Sequence, residues 1–311
     1  MKNIIEFDHP TSKNYFDLIE DYKNDLYCLN LSKSTITTYT QSISQFLNFL
    51  EDDLSSLDIV HIHHYKSELH DKQKLKAVTI NKKLQALKSF ISYLYKVTFI
   101  KDDISKKISL LKVQKTRIAP KALNESEINL LLQFAGSNSK KILKLRNYTM
   151  IQLLLGTGIR LDELVNLDYG DIVINDRSGH ITIRKGKGLK ERIVFTNSKV
   201  RNALSLYFDY RTEKFELSKI DSADPAISNQ SNKRMTSRSV QKVIQSLAQK
   251  AKIDRIKISP HTFRHTFANK YYSATKDILA LQALMGHNSL DTTGTYALPS
   301  QEELLASLDK I

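Results

Sequence analysis

Cysteine is almost absent from this chain: Cys28 is the only one in 311 residues. That excludes an intrachain disulfide and a metal centre built from several thiolates. Long hydrophobic runs are lacking as well, since no apolar stretch approaches the roughly 20 residues that a membrane-spanning helix needs. The opening residues, MKNIIEFDHPTSKN, carry acidic side chains and no extended apolar segment. No signal peptide is readable there, and the cytoplasm is the expected compartment. Acidic residues are the minority charge, 33 Asp and Glu against 47 Lys and Arg, for a formal net charge of +14. Such an excess suits a polyanionic partner, and without an apolar span nucleic acid is a better candidate than a membrane surface. Neither an internal repeat nor a low-complexity tract is visible. Composition alone leaves a basic ribosome-associated or stress protein open.

Helical periodicity is abundant. In KSTITTYTQSISQFLNFLED, Ile36, Tyr39, Ile43, Phe46, Leu47 and Leu50 recur at helical spacing, with Ser34 as the expected N-cap. Ile80, Leu84, Leu87, Ile91 and Leu94 share one face of another helix, with Lys82, Lys83 and Lys88 off it. Two more helices are expected over 15–29 and 59–70, enough to close a small bundle. The pattern then weakens in KVQKTRIAPKALNESE, where Lys112, Lys115, Arg117 and Lys121 surround Pro120. This reads as an extended basic linker over 112–123, dividing a helical domain (1–111) from a second domain (124–311). Asn124 opens the second domain, with Glu127 placed to complete a capping box. Strand-like runs at 171–175, 180–185 and 191–196 predict a three-stranded antiparallel sheet. Helices follow over 199–210, 237–251, 260–271 and 275–285. The expected fold class is mainly α with a small antiparallel β-sheet (α+β).

Three short stretches carry the chemistry. In ISPHTFRHTFANKYY, Ser259 and Pro260 mark a helix start, and His261 and Arg264 share a face near it. Exposed amides at such an end favour an anion; a guanidinium can bind two phosphate oxygens, and an imidazole can shuttle a proton. Taken alone, the pair is more often part of a solvated basic helix. In LLLGTGIRLDELVNL, the glycines end one helix, Asp162 is the expected cap of the next, and Arg160 projects from the joint. Glu163 could orient that guanidinium, although an ordinary surface ion pair has the same spacing. The hairpin tip RKGKGLKER puts lysines on a tight glycine turn, without the order of a phosphate-binding P-loop. Elsewhere, HIHHYKSELH places His64 and Glu68 four apart, as metal ligands could be, but no second cluster completes a site. In MGHNSLDTTGTYA, near the end of the chain, Tyr296 follows His287 by nine positions.

Together these pieces resemble the tyrosine recombinase (phage integrase) family over nearly the whole chain. T-G-x-R-x-x-E-L stands at 157–164, the G-K-G hairpin at 186–188, H-x-x-R-H at 261–265 and L-x-x-L-x-G-H at 281–287, before Tyr296. The resemblance implies a two-domain clamp: an N-terminal core-binding helical bundle that binds DNA, and a C-terminal catalytic domain. It implies site-specific DNA recombination with neither ATP, metal nor another cofactor. Tyr296 would attack the scissile phosphate to give a 3′-phosphotyrosyl enzyme and a free 5′-hydroxyl, with His261 accepting the phenol proton. Arg160 and Arg264 would clamp the non-bridging oxygens, His287 would add a hydrogen bond, and Lys187 would protonate the leaving oxygen. Glu163 would support that geometry. Tyr271 and Tyr272 compete for the nucleophile, and Lys185 and Lys190 for the acid. Beyond Pro299, Leu304, Leu305, Leu308 and Ile311 form an apolar stripe in the tail (299–311), which related recombinases pass to a neighbour in a cyclic tetramer. Two alternatives remain: a type IB topoisomerase-like relaxation activity, which the N-terminal bundle disfavours, and a non-catalytic DNA-binding protein, which the full set of catalytic residue types disfavours.

Overall fold

Apolar side chains three and four apart explain most of the architecture, because each helix must bury its stripe against another. The computed structural model describes residues 15–50, 53–113, 122–184 and 191–286. The chain divides into two compact units, Met1–Thr116 and Arg117–Ile311.

In the first unit, α1 (Tyr15–Cys28), α2 (Lys33–Phe49), α3 (Ile59–Ser67) and α4 (Ala77–Lys96) enclose one core. The long helix α4 buries Ile80, Leu84, Leu87, Phe90, Ile91 and Leu94. Tyr22 meets Phe90 edge-on at a centroid distance of 5.1 Å. The stripe was expected, but the cap of α2 was not. Ser32, not Ser34, takes that place, and its hydroxyl accepts the Thr35 N–H at 3.1 Å. Both serines are chemically competent, but only Ser32 has the extended backbone a cap requires, and Ser34 already lies inside the first turn. The helix expected over 59–70 continues past Ser67 as a π-helical turn, Glu68–Lys72. The chain leaving this unit is tied down: the Asn81 side chain accepts the Leu111 N–H at 2.8 Å and donates to the Leu111 carbonyl at 2.9 Å.

In the second unit, α5 (Glu125–Ala135) starts at Asn124, with Glu127 closing the capping box as expected. Helix α6 (Lys141–Thr157) is apolar on several faces and sits centrally, packed by α5, α8 (Ser198–Lys214) and α10 (Pro260–Thr275). The short helix α7 (Leu161–Asn166) follows it and packs against α9 (Ser237–Lys250). Strands β1 (Ile172–Ile174), β2 (Gly179–Ile183) and β3 (Arg192–Phe195) form the antiparallel sheet, in the order β1-β2-β3. Its last register pair before the hairpin tip is Ile183 with Arg192. Helix α11 (Ile278–Met285) packs on α10.

Gly158 decides where α6 stops. Its φ of +61° suits glycine, and a Cβ there would lie 2.4 Å from Cδ1 of Phe267 on α10. Gly158→Ala should therefore destabilise the second unit by about 2–4 kcal/mol, combining left-handed strain with overpacking. Denaturant unfolding of the full chain checks this; a loss below about 1 kcal/mol would show that the Phe267 ring swings aside freely.

Candidate active site

Past Gly158 the chain runs through buried Ile159 into Arg160, whose extended backbone precedes α7. The expected cap, Asp162, lies inside the first turn instead, where its carboxylate accepts from the Ser237 hydroxyl at 3.1 Å. The reason is the carboxylate one position on. Glu163 reaches back to the Arg160 N–H, which donates to Oε2 at 2.7 Å, so the helix is capped at Arg160 and begins at Leu161, two residues earlier than a cap at Asp162 would allow. The Arg160 side chain also donates from Nη1 to Glu163 Oε1 at 2.9 Å.

A second arginine reaches the same carboxylate from the sheet. Arg192 donates from Nη1 to Oε1 at 2.7 Å and from Nη2 to Oε2 at 2.8 Å, a parallel fork. Burial by itself would raise the Glu163 carboxyl, whose side chain is 3% exposed. The hydrogen bonds and charge of Arg192, with those of Arg160, outweigh it and hold the group down to about 2. Glu163 is therefore ionised at neutral pH. Two guanidinia share its single charge, and the Arg160 side chain stays 25% exposed, so a positive excess faces outward.

Helix α10 supplies Arg264 from its first turns. That side chain is buried and donates to the carbonyls of Gly158 and Met285. Arg160 Nη2 donates to the next carbonyl, Gly286, at 3.2 Å. Gly286 caps α11 with a left-handed φ of 60°. Both arginines thus converge on the backbone that directly precedes His287. His261 lies one turn before Arg264 and is exposed. His265 is lowered by burial and by the charges of His261 and Arg264, so it is neutral at pH 7.

Residues 121–303 match the model of the phage integrase family, and residues 18–100 that of the phage integrase N-terminal SAM-like domain. This chain belongs to the phage integrase family. Tyrosine recombinase XerC of Thermodesulfovibrio yellowstonii is 32% identical over 299 residues, covering 96% of this chain and 94% of that protein. Tyrosine recombinase XerC of Leptospira interrogans serovar Lai is 30% identical over 299 residues, covering 94% and 90%. The crystal structure of the XerH site-specific recombinase bound to difH substrate, a pre-cleavage complex, shares the fold with a TM-score of 0.67. That likeness spans 87% of this chain and 78% of the other at 24% identity. The chain is a tyrosine recombinase, an enzyme of site-specific DNA recombination.

Of the residues singled out in this recombinase's sequence, Arg160, Glu163 and Arg264 come together around Gly158 and the end of α11. His261 shares α10 with Arg264. Lys187, His287 and Tyr296 lie outside the described residues, as do Lys185, Lys190, the tail over 299–311 and linker positions 114–121. The competing tyrosines, Tyr271 and Tyr272, pack against Ala268, Leu281 and Met285. In the histidine-rich stretch, His61 bonds Asp58 at 2.6 Å and Glu68 pairs with Lys72 at 2.9 Å, so those groups have structural partners. Arg192 was missed. Its signal is alternation along β3, where it occupies the same inward face as buried Val194, while Ile193 and Phe195 point out. A guanidinium on a buried face requires acceptors, and a carboxylate is the strongest of them.

Proposed function

We propose that this recombinase cuts duplex DNA at a specific site through Tyr296, using Arg160, Arg264, His261, His287 and Lys187 as its catalytic set and Glu163 as support. The phenolic oxygen attacks phosphorus, the bond to the 5′-oxygen breaks, and a 3′-phosphotyrosyl link forms. His261 takes the phenol proton and Lys187 gives one to the departing 5′-hydroxyl. The link preserves the phosphodiester's energy, so a 5′-hydroxyl from a second duplex can reverse the step on a new partner. No metal or nucleotide enters the scheme.

One observation carries this reading: two arginines, both fixed by backbone carbonyls, meet at the segment running into His287. Fixed guanidinia serve best where negative charge grows in a transition state, because they need no reorganisation. The +14 charge suits the polyanionic substrate. Among the described residues no helix is long and apolar enough to cross a membrane, in keeping with action on cytoplasmic DNA. In this scheme residues 1–111 form the core-binding domain, 112–123 the basic linker across DNA phosphates and 124–311 the catalytic domain.

The test starts from a binding site selected out of random duplex DNA. A nicked version of that site should trap a covalent protein–DNA adduct that survives denaturant and is indifferent to EDTA. Recombinant products from intact sites separate strand exchange from simple relaxation. If no adduct forms on any selected site, the reading is wrong.

The tail is proposed to dock on a neighbouring subunit and join four subunits on two sites, since a helix of about a dozen residues is marginal alone. Deleting 300–311 should leave half-site binding intact and abolish cooperative assembly and strand exchange. A truncated chain that still recombines would end that idea.

A further inference from the structure

We propose that Arg192 is the positioning residue of the Arg160 phosphate clamp, holding both groups against which Arg160 is braced. This deepens the functional reading above and rests on it. Arg160 has two side-chain acceptors, the Glu163 carboxylate and the Gly286 carbonyl. Arg192 touches both residues. Its fork saturates Glu163 and fixes the plane of the carboxylate, leaving Oε1 aimed at Arg160. Its aliphatic end and guanidinium lie along Gly286, where a Cβ would come within 3.1 Å of Cδ, 3.2 Å of Nε and 3.4 Å of Cζ. Without Arg192, Glu163 could turn about its own side chain, and the α11 end would lose the surface it rests on.

Arg192 is poorly placed to bind DNA itself. Its side chain is 13% exposed and both terminal nitrogens are spent on Glu163. It works through Arg160. Its backbone belongs to the sheet, in the last register pair of the ladder before the hairpin tip.

The test uses Arg192→Gln and Arg192→Lys in the full chain, on the nicked duplex made from the selected site. Lysine keeps a charge beside Glu163 and loses only the fork. DNA affinity should stay within about threefold, because the other phosphate contacts remain. Single-turnover cleavage should fall about 10- to 100-fold, the cost of a guanidinium displaced by about an ångström. Two modified substrates identify the route. A scissile methylphosphonate, which lacks one charged oxygen, should bring variant and parent rates together, since the clamp then has less charge to meet. A 5′-phosphorothiolate, whose sulfur leaves without protonation, should not.

Melting temperatures separate loss of fold from loss of rate; should the glutamine variant not fold, the lysine variant carries the test. The inference is overturned if the variants cleave like the parent, if affinity falls as far as rate, if the phosphorothiolate rescues and the methylphosphonate does not, or if neither variant folds. A parent chain that forms no adduct brings down the functional reading and this inference together. A parent that cleaves beside equally active variants brings down the inference alone.

Discussion

Tyr296→Phe should bind the selected half-site as tightly as the parent and form no covalent adduct, a loss on the order of 10⁶-fold in cleavage. The substitution removes one oxygen and keeps the ring, so packing and phosphate contacts are unchanged. A phenol titrates near ~10, and its reactivity depends on handing its proton over as the bond to phosphorus forms. Phenylalanine has nothing to hand over and no lone pair to attack with. Tyr271 and Tyr272 are the nearest substitutes in sequence, but both pack against the α10–α11 core, and Lys276 lies 5.5 Å over the Tyr272 ring. The measurement is a denaturing gel after incubation with the nicked duplex, beside a binding titration. An adduct in the variant would transfer the nucleophile's role to one of those two residues.

Glu163→Gln should cost about 3–5 kcal/mol at neutral pH, the usual penalty for leaving a buried charge unpaired. Four donors meet this carboxylate, from the Arg160 N–H, Arg160 Nη1 and both terminal nitrogens of Arg192. Glutamine offers one acceptor and turns an amide against a guanidinium. The effect depends on pH with a definite sign. The folded carboxyl titrates at about 2, below the ~4.3 of an unfolded glutamate, so ionisation stabilises the fold. That contribution is fully present above about 4.3 and is lost as pH falls through about 2. The stability gap between parent and variant should therefore be widest near pH 7 and narrow steadily below pH 4, as urea titrations across that range would show. A gap of constant size would mean that the carboxylate's charge is not what holds the two arginines. Cleavage should fall as well, because Arg160 loses its anchor.

The helices were legible because their evidence is local: apolar spacing fixes which face is buried, and Asn124 with Glu127 names a start outright. Ser34 and Asp162 misled because residue type shows capping ability, whereas the backbone torsions that select the cap are set by the preceding turn. At the site, Arg160 and Glu163 were readable as a pair three apart. The braces of Arg264 were not, since its acceptors are the carbonyls of Gly158 and Met285, and a main-chain oxygen leaves no trace in residue type. Arg192 was hidden differently. Its partner lies 29 residues away, and only the strand's alternation shows that its side chain turns inward.

The two hydrogen bonds between the Asn81 side chain and the Leu111 backbone also set a length. On the far side of the linker, the buried Leu123 N–H donates to the Thr266 hydroxyl at 2.9 Å. Eleven residues, 112–122, tether these two anchored ends, and a chain of that length spans at most about 40 Å. If both units bind DNA, as proposed above, binding by one presents the other at a concentration in the millimolar range. Weak grip by either half alone would then be enough for tenacious hold by the whole. Lengthening the tether would dilute that advantage gradually, while cutting it would remove it at once.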